Sequence, residues 1–137
     1  VFSRRQAPLH YRSPDDLLGK SLGTHLGYSY PLLTPYFDSK KILRADAGTE
    51  KSMLLMLQAG RTDALVMNEW VALWLIKTEN LQDQFTASDT ELDGYEYRLM
   101  FGPQWSDFVA RFNRELARMK RDGRLARVIG KYRLSAP

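Results

Sequence analysis

Four consecutive apolar residues, Ala64-Leu65-Val66-Met67, constrain this chain more than any other feature. They follow the polar stretch Gly60-Arg61-Thr62-Asp63 and precede Asn68-Glu69, so the run is too short for a helix. A short apolar run without alternation suits a strand buried on both faces, and such strands belong to parallel sheets covered by helices on each side. The expected buried strand is Thr62–Met67. The neighbouring text agrees. Gly48 to Gly60 reads as a helix with Thr49 as N-cap, an apolar face of Met53, Leu54, Met56 and Leu57, and Gly60 as its stop. Another helix is expected from Glu69 to Lys77.

Upstream, Ser13 to Lys20 reads as a capped helical turn with Pro14 at its first position, closed by Gly19. Ser21–Leu26 reads as a strand ended by Gly27, and Lys41–Ala45 as another. Ser29–Phe37 is expected to be a short or irregular helix starting directly after the first of these strands, with Pro35 distorting it. Gln84–Ala87 and Tyr95–Phe101 are further strand candidates, separated by the Asp93-Gly94 turn. Strands alternating with helices imply βαβ crossovers, hence an α/β fold with a mostly parallel sheet. After Gln104 the pattern changes. Trp105, Phe108, Val109, Phe112, Leu116 and Met119 recur at helical spacing, Asp122-Gly123 interrupts, and Leu125, Val128, Ile129 and Tyr132 mark a second helix.

Composition excludes several chemistries. The chain of 137 residues holds no cysteine and only two histidines, His10 and His25. Thiolate nucleophiles, disulfides and Cys-ligated metals are therefore ruled out, and no metal site or cofactor is expected. No apolar run approaches the ~20 residues of a membrane span. Ser29 near His25 lacks a Gly-x-Ser-x-Gly setting, no phosphate-loop or dinucleotide fingerprint occurs, and Asp15-Asp16 fits a helix first turn better than an acid/base pair. No catalytic turnover is expected. The net charge of +4 is uneven: residues 1–103 sum to −2 and residues 104–137 to +6. With no helix-turn-helix reader in view, the basic segment is read as a solvated helix face, and no nucleic-acid partner is expected.

In a parallel sheet, ligands gather at the carboxyl ends of strands. Two loops fall there: Tyr28, Ser29 and Tyr30 on one, Asn68, Glu69 and Trp70 on the other. Ser29 either caps a helix or donates to a ligand. Asn68 either caps the next helix or hydrogen-bonds a ligand. Glu69 could pair with a cation, and Trp70 either packs in the core or offers an apolar platform.

Four segments, in order, resemble the type II periplasmic solute-binding proteins of family 3, which serve ABC importers. They are Ser13-Pro14-Asp15-Asp16-Leu17-Leu18-Gly19-Lys20-Ser21-Leu22-Gly23, Gly27-Tyr28-Ser29, Leu57-Gln58-Ala59-Gly60-Arg61-Thr62-Asp63-Ala64, and Phe112-Asn113-Arg114-Glu115-Leu116 running on to Ile129-Gly130-Lys131-Tyr132. The resemblance spans Ser13 to Tyr132 and matches only the second part of the family pattern, the first lobe being absent from it. It implies a periplasmic-binding-protein-like II lobe: 1–12 as the end of a hinge strand and linker, 13–94 as the ligand-binding lobe, 95–103 as the return hinge strand, and 104–137 as C-terminal helices that in the family pack on the first lobe. Trp105, Phe108 and Phe112 would then need that lobe, or a second chain, as cover. The family's acidic residue for an amino-acid ammonium falls at Asn68, which is neutral, and Tyr28 replaces a small hydroxyl residue. Both changes point toward a wider range of small polar or aromatic ligands. The function implied is capture of a small polar, amino-acid-like molecule outside the cytoplasm for an importer permease. The alternatives are a ligand-sensing domain of a signalling protein or the effector domain of a nucleic-acid-associated regulator.

Overall fold

The computed structural model describes residues 1–94, 96 and 98–130. They form two units, residues 1–94 and the part of 95–137 that is described.

The first unit is a five-stranded sheet in the order β3-β2-β4-β1-β5, with β1 Phe2–Arg4, β2 Ser21–His25, β3 Leu43–Ala47, β4 Ala64–Leu65 and β5 Phe85–Ala87. β2 runs parallel to β3 and to β4, as the crossovers require. β1 is antiparallel to both β4 and β5, so the sheet is mixed. Phe2–Arg4, within the stretch expected to hold the end of a hinge strand and a linker, is a strand of this sheet.

The apolar run behaves as its composition demands. Ala64 and Leu65 are both fully buried and point to opposite faces. Leu65 joins Phe2, Met53, Leu54, Leu57, Ala72, Ile76 and Phe85 in the core beneath α2 (Glu50–Gln58) and α3 (Glu69–Thr78). Ala64 joins Tyr11, Leu17, Leu22, Leu33 and Ile42 on the other face. The ladder of β4 is shorter than the expected Thr62–Met67, because only Ala64 and Leu65 have partners on β1. Toward β2 the backbone bonding reaches further, with the Asp63 N–H donating to Ser21 O at 2.8 Å and the Val66 N–H to Gly23 O at 3.0 Å.

Caps set the helix starts. Thr49 Oγ1 accepts from the Ser52 N–H at 3.1 Å and Asn68 Oδ1 from the Val71 N–H at 3.2 Å. Gly60 leaves α2 with φ +71°, a conformation that only glycine adopts at low cost. Close by, the Arg4 guanidinium donates to Leu57 O and Thr62 O, both at 2.8 Å, satisfying a carbonyl at the helix end. The expected helix over Ser29–Phe37 is a correction. α1 covers only Thr34–Asp38 and Leu33 is its N-cap. Pro31 disfavours helical backbone at Tyr30, so a helix cannot begin at Ser29. β3 also begins later than the expected Lys41, at Leu43, and runs on to Ala47.

The second unit holds α4 (Ser106–Arg121) and α5 (Arg124–Gly130), with Gly123 at φ +77° between them. No residue of either helix is buried. Phe101, Trp105, Phe108 and Phe112 form a row of ring contacts with centroids 5.2–6.4 Å apart. The strand expected over Tyr95–Phe101 does not form at Glu96 or 98–101, and Tyr95, Tyr97 and Tyr132 lie outside the described residues.

Candidate functional site

β2 and β4 are hydrogen-bonded neighbours running in the same direction, so the loops that follow them leave the sheet at one edge. One loop carries Tyr28, Ser29 and Tyr30; the other passes Met67 and reaches Asn68, Glu69 and Trp70 at the start of α3. The N-terminus of α2, opened by Thr49 and Glu50, follows β3 at that edge.

The first loop is shaped by a tight turn. The Tyr28 N–H donates to His25 O at 3.2 Å, with Gly27 at φ +81° in the third position, as a type II turn requires. Tyr28 is exposed, and its ring stacks on His25 with centroids 4.2 Å apart. His25 is held in turn: its Nδ1 donates to Leu26 O at 2.9 Å, and its Nε2 stands 3.8 Å from Glu50 Oε1. Ser29 is exposed and caps no helix, since α1 starts five residues later. Tyr30 turns inward. Its ring packs against the Leu22 side of the core, and its hydroxyl accepts from the His25 N–H at 3.0 Å. Burial pushes the Tyr30 phenol above its ordinary pKa, outweighing the hydrogen bond from His25.

On the second loop Asn68 spends its side-chain oxygen on capping α3. Glu69 is exposed in the first turn of the helix, where the dipole favours a carboxylate. Trp70 is 44% exposed, so much of its ring is open to solvent. Asp63, immediately before β4, locks the start of β2. Its Oδ2 accepts from Ser21 N at 2.7 Å and from Ser21 Oγ at 2.8 Å. The bond from the Ser21 backbone, with Ser21 Oγ, Lys20 and Arg4 nearby, holds the Asp63 carboxyl below its usual pKa despite partial burial.

Four residues around the first loop carry no flag in the sequence: His25 as the support of Tyr28, Glu50 as its counterpart, and Arg44 with Asp46 on β3. The Arg44-x-Asp46 spacing puts both on one face of a strand and was the one available signal. Among the described residues, no group of three or more His, Asp or Glu could hold a metal ion, and no helix is long and apolar enough to cross a membrane.

No protein-family model matches the chain. It is 28% identical over 121 residues to PatH of Vibrio harveyi, which carries the provisional name of amino-acid ABC transporter-binding protein; the match covers 86% of this chain and 47% of that one. Among solved structures, an ancestral arginine-binding protein bound to arginine aligns with a TM-score of 0.74 and 23% identity, over 96% of this chain and 57% of the other. The GluR0 ligand-binding core from Nostoc punctiforme, in complex with L-glutamate, aligns with a TM-score of 0.70 and 21% identity, over 99% and 59%. Both comparisons fall where the sequence segments pointed, on family 3 solute-binding proteins and relatives of their fold. The fold is that of a periplasmic-binding-protein-like lobe, and the chain spans about half the length of the curated relative it matches.

Proposed function

We propose that this chain is the ligand-binding lobe of an extracytoplasmic solute-binding protein, capturing a small polar, amino-acid-like molecule for an ABC importer. One observation carries the reading: two loops rich in hydrogen-bonding and aromatic side chains emerge side by side from adjacent parallel strands, in a fold shared with amino-acid-binding proteins. In this reading Tyr28, Ser29, Asn68, Glu69 and Trp70 contact the solute, while Tyr30 shapes the loop beneath it. The lobe binds and releases its ligand without converting it. The aromatic row of Trp105, Phe108 and Phe112 is the surface that a further lobe or chain covers, and a membrane permease receives the solute. The test is a titration of the isotope-labelled chain with L-arginine, L-glutamine and L-glutamate, followed residue by residue by NMR. Weak binding is expected, with shifts concentrated at residues 26–30 and 66–70, because one lobe supplies only part of the contacts and no water-excluding closure. Silence toward all three, or shifts confined to residues far from both loops, overturns the reading.

A further inference from the structure

We propose that Arg44 is a positioning residue of this site, clamping the Tyr28–Tyr30 loop onto the sheet; the inference rests on the solute-binding reading above. Arg44 lies on β3, the edge strand, paired in register with Leu22. Its guanidinium makes contacts in three directions. Nε donates to Asp46 Oδ1 at 2.9 Å. A terminal nitrogen donates to the Tyr28 carbonyl oxygen at 3.0 Å. Its Cζ sits 5.5 Å from the Tyr30 ring centroid and 5.6 Å from that of Phe37, within cation–π range of both.

Asp46 is itself fixed, because the fully buried Thr24 donates to the same Oδ1 at 2.8 Å. The chain of contacts therefore runs from Thr24 near the end of β2 through Asp46 and Arg44 to the loop backbone at Tyr28. On the Tyr28 side the loop is otherwise held by the Leu26 N–H bond to Ala47 O at 2.9 Å, the turn at Gly27 and the Tyr28–His25 stack, while Leu26, Gly27, Tyr28 and Ser29 are all exposed. The turn at Gly27 sets the loop's direction, and the Tyr30 hydroxyl anchors its far end on the His25 N–H. Arg44 supplies the bond between those two points. The planar fork of arginine can donate in two directions while stacking on rings; a lysine ammonium on the same strand position cannot do all three.

The experiment compares the full chain with its Arg44→Ala and Arg44→Lys variants. Amide hydrogen exchange reads the loop without any ligand, and titration with L-arginine and with L-glutamate reads the site. Exchange at the Tyr28 amide is expected to rise about tenfold in both variants, the loss of a charge-assisted bond to its backbone. Amides of α2 and β4 are expected to keep their rates. Binding of whichever amino acid the wild-type chain takes should weaken in step with the loop. Unchanged Tyr28 exchange in Arg44→Ala, full rescue by Arg44→Lys, or a rise spread equally over α2 and β4 overturns the proposal. So does a loosened loop that binds as tightly as wild type. A wild-type chain that takes neither amino acid counts against the solute-binding reading, and the exchange arm still decides whether Arg44 clamps the loop.

Discussion

Asp63→Ala should destabilise the first unit by an amount that disappears in acid. The carboxylate takes two bonds from Ser21, at 2.7 Å from the backbone N–H and 2.8 Å from the hydroxyl. A bond to a charged group contributes about 1.5–3 kcal/mol, and its loss leaves the Ser21 N–H without its acceptor. Asp63 is partly accessible, so water recovers some of this and the expected cost is about 2 kcal/mol. For a unit of this size, 1 kcal/mol moves the melting midpoint by roughly 4–8 °C, so a fall of roughly 8–16 °C is expected near neutral pH. The pH dependence has a definite sign. The folded-state pKa of Asp63 is lowered, chiefly by the Ser21 backbone bond. Its contribution is therefore fully present above the unfolded-state value of about 3.9 and is lost as pH falls through the lower folded-state value. Thermal melts followed by circular dichroism from about pH 7 down to about pH 2 should show the wild-type and variant midpoints converging only below that unfolded-state value. Asp63→Asn, which keeps an oxygen acceptor without the charge, should fall between them. A wild-type–variant gap that stays constant down to the acid end, or no gap at neutral pH, refutes the reasoning.

Gly23→Ala should cost about 1–3 kcal/mol in urea unfolding, because the added Cβ would lie 3.1 Å from Leu65 Cβ in the packed sheet; wild-type stability would show that the strands part freely. Thr62→Val should be neutral or stabilising, since the Thr62 hydroxyl is buried with no hydrogen-bond partner among the described residues; a clear drop in melting temperature would mean that the hydroxyl has a partner after all. Asn68→Ala should lose about 1 kcal/mol through the α3 cap alone. If Asn68 also meets the solute, amino-acid binding should fall further than this loss of stability accounts for.

Local signals sufficed for much of the first unit. The apolar run at Ala64–Leu65 had to be a strand covered on both faces, because no half-exposed strand carries consecutive apolar side chains without cost. Thr49 announced its helix, and a cap was one of the two readings open for Asn68, because capping involves residues only three apart. The placement of the two loops after strands was legible too, because each directly follows a strand in the sequence. Tertiary structure alone decided the rest. The insertion of β1 between β4 and β5, antiparallel to both, depends on partners more than 60 residues away, which no periodicity encodes. Arg4 reads as a surface charge until α2 ends beside it and offers Leu57 O. Arg44 and Asp46 read as the outer face of an edge strand until the Tyr28 carbonyl, the Tyr30 and Phe37 rings and the Thr24 hydroxyl arrive from separate segments to meet them. A sequence determines which residues can form an element; which distant groups surround a given side chain is settled only when the elements pack.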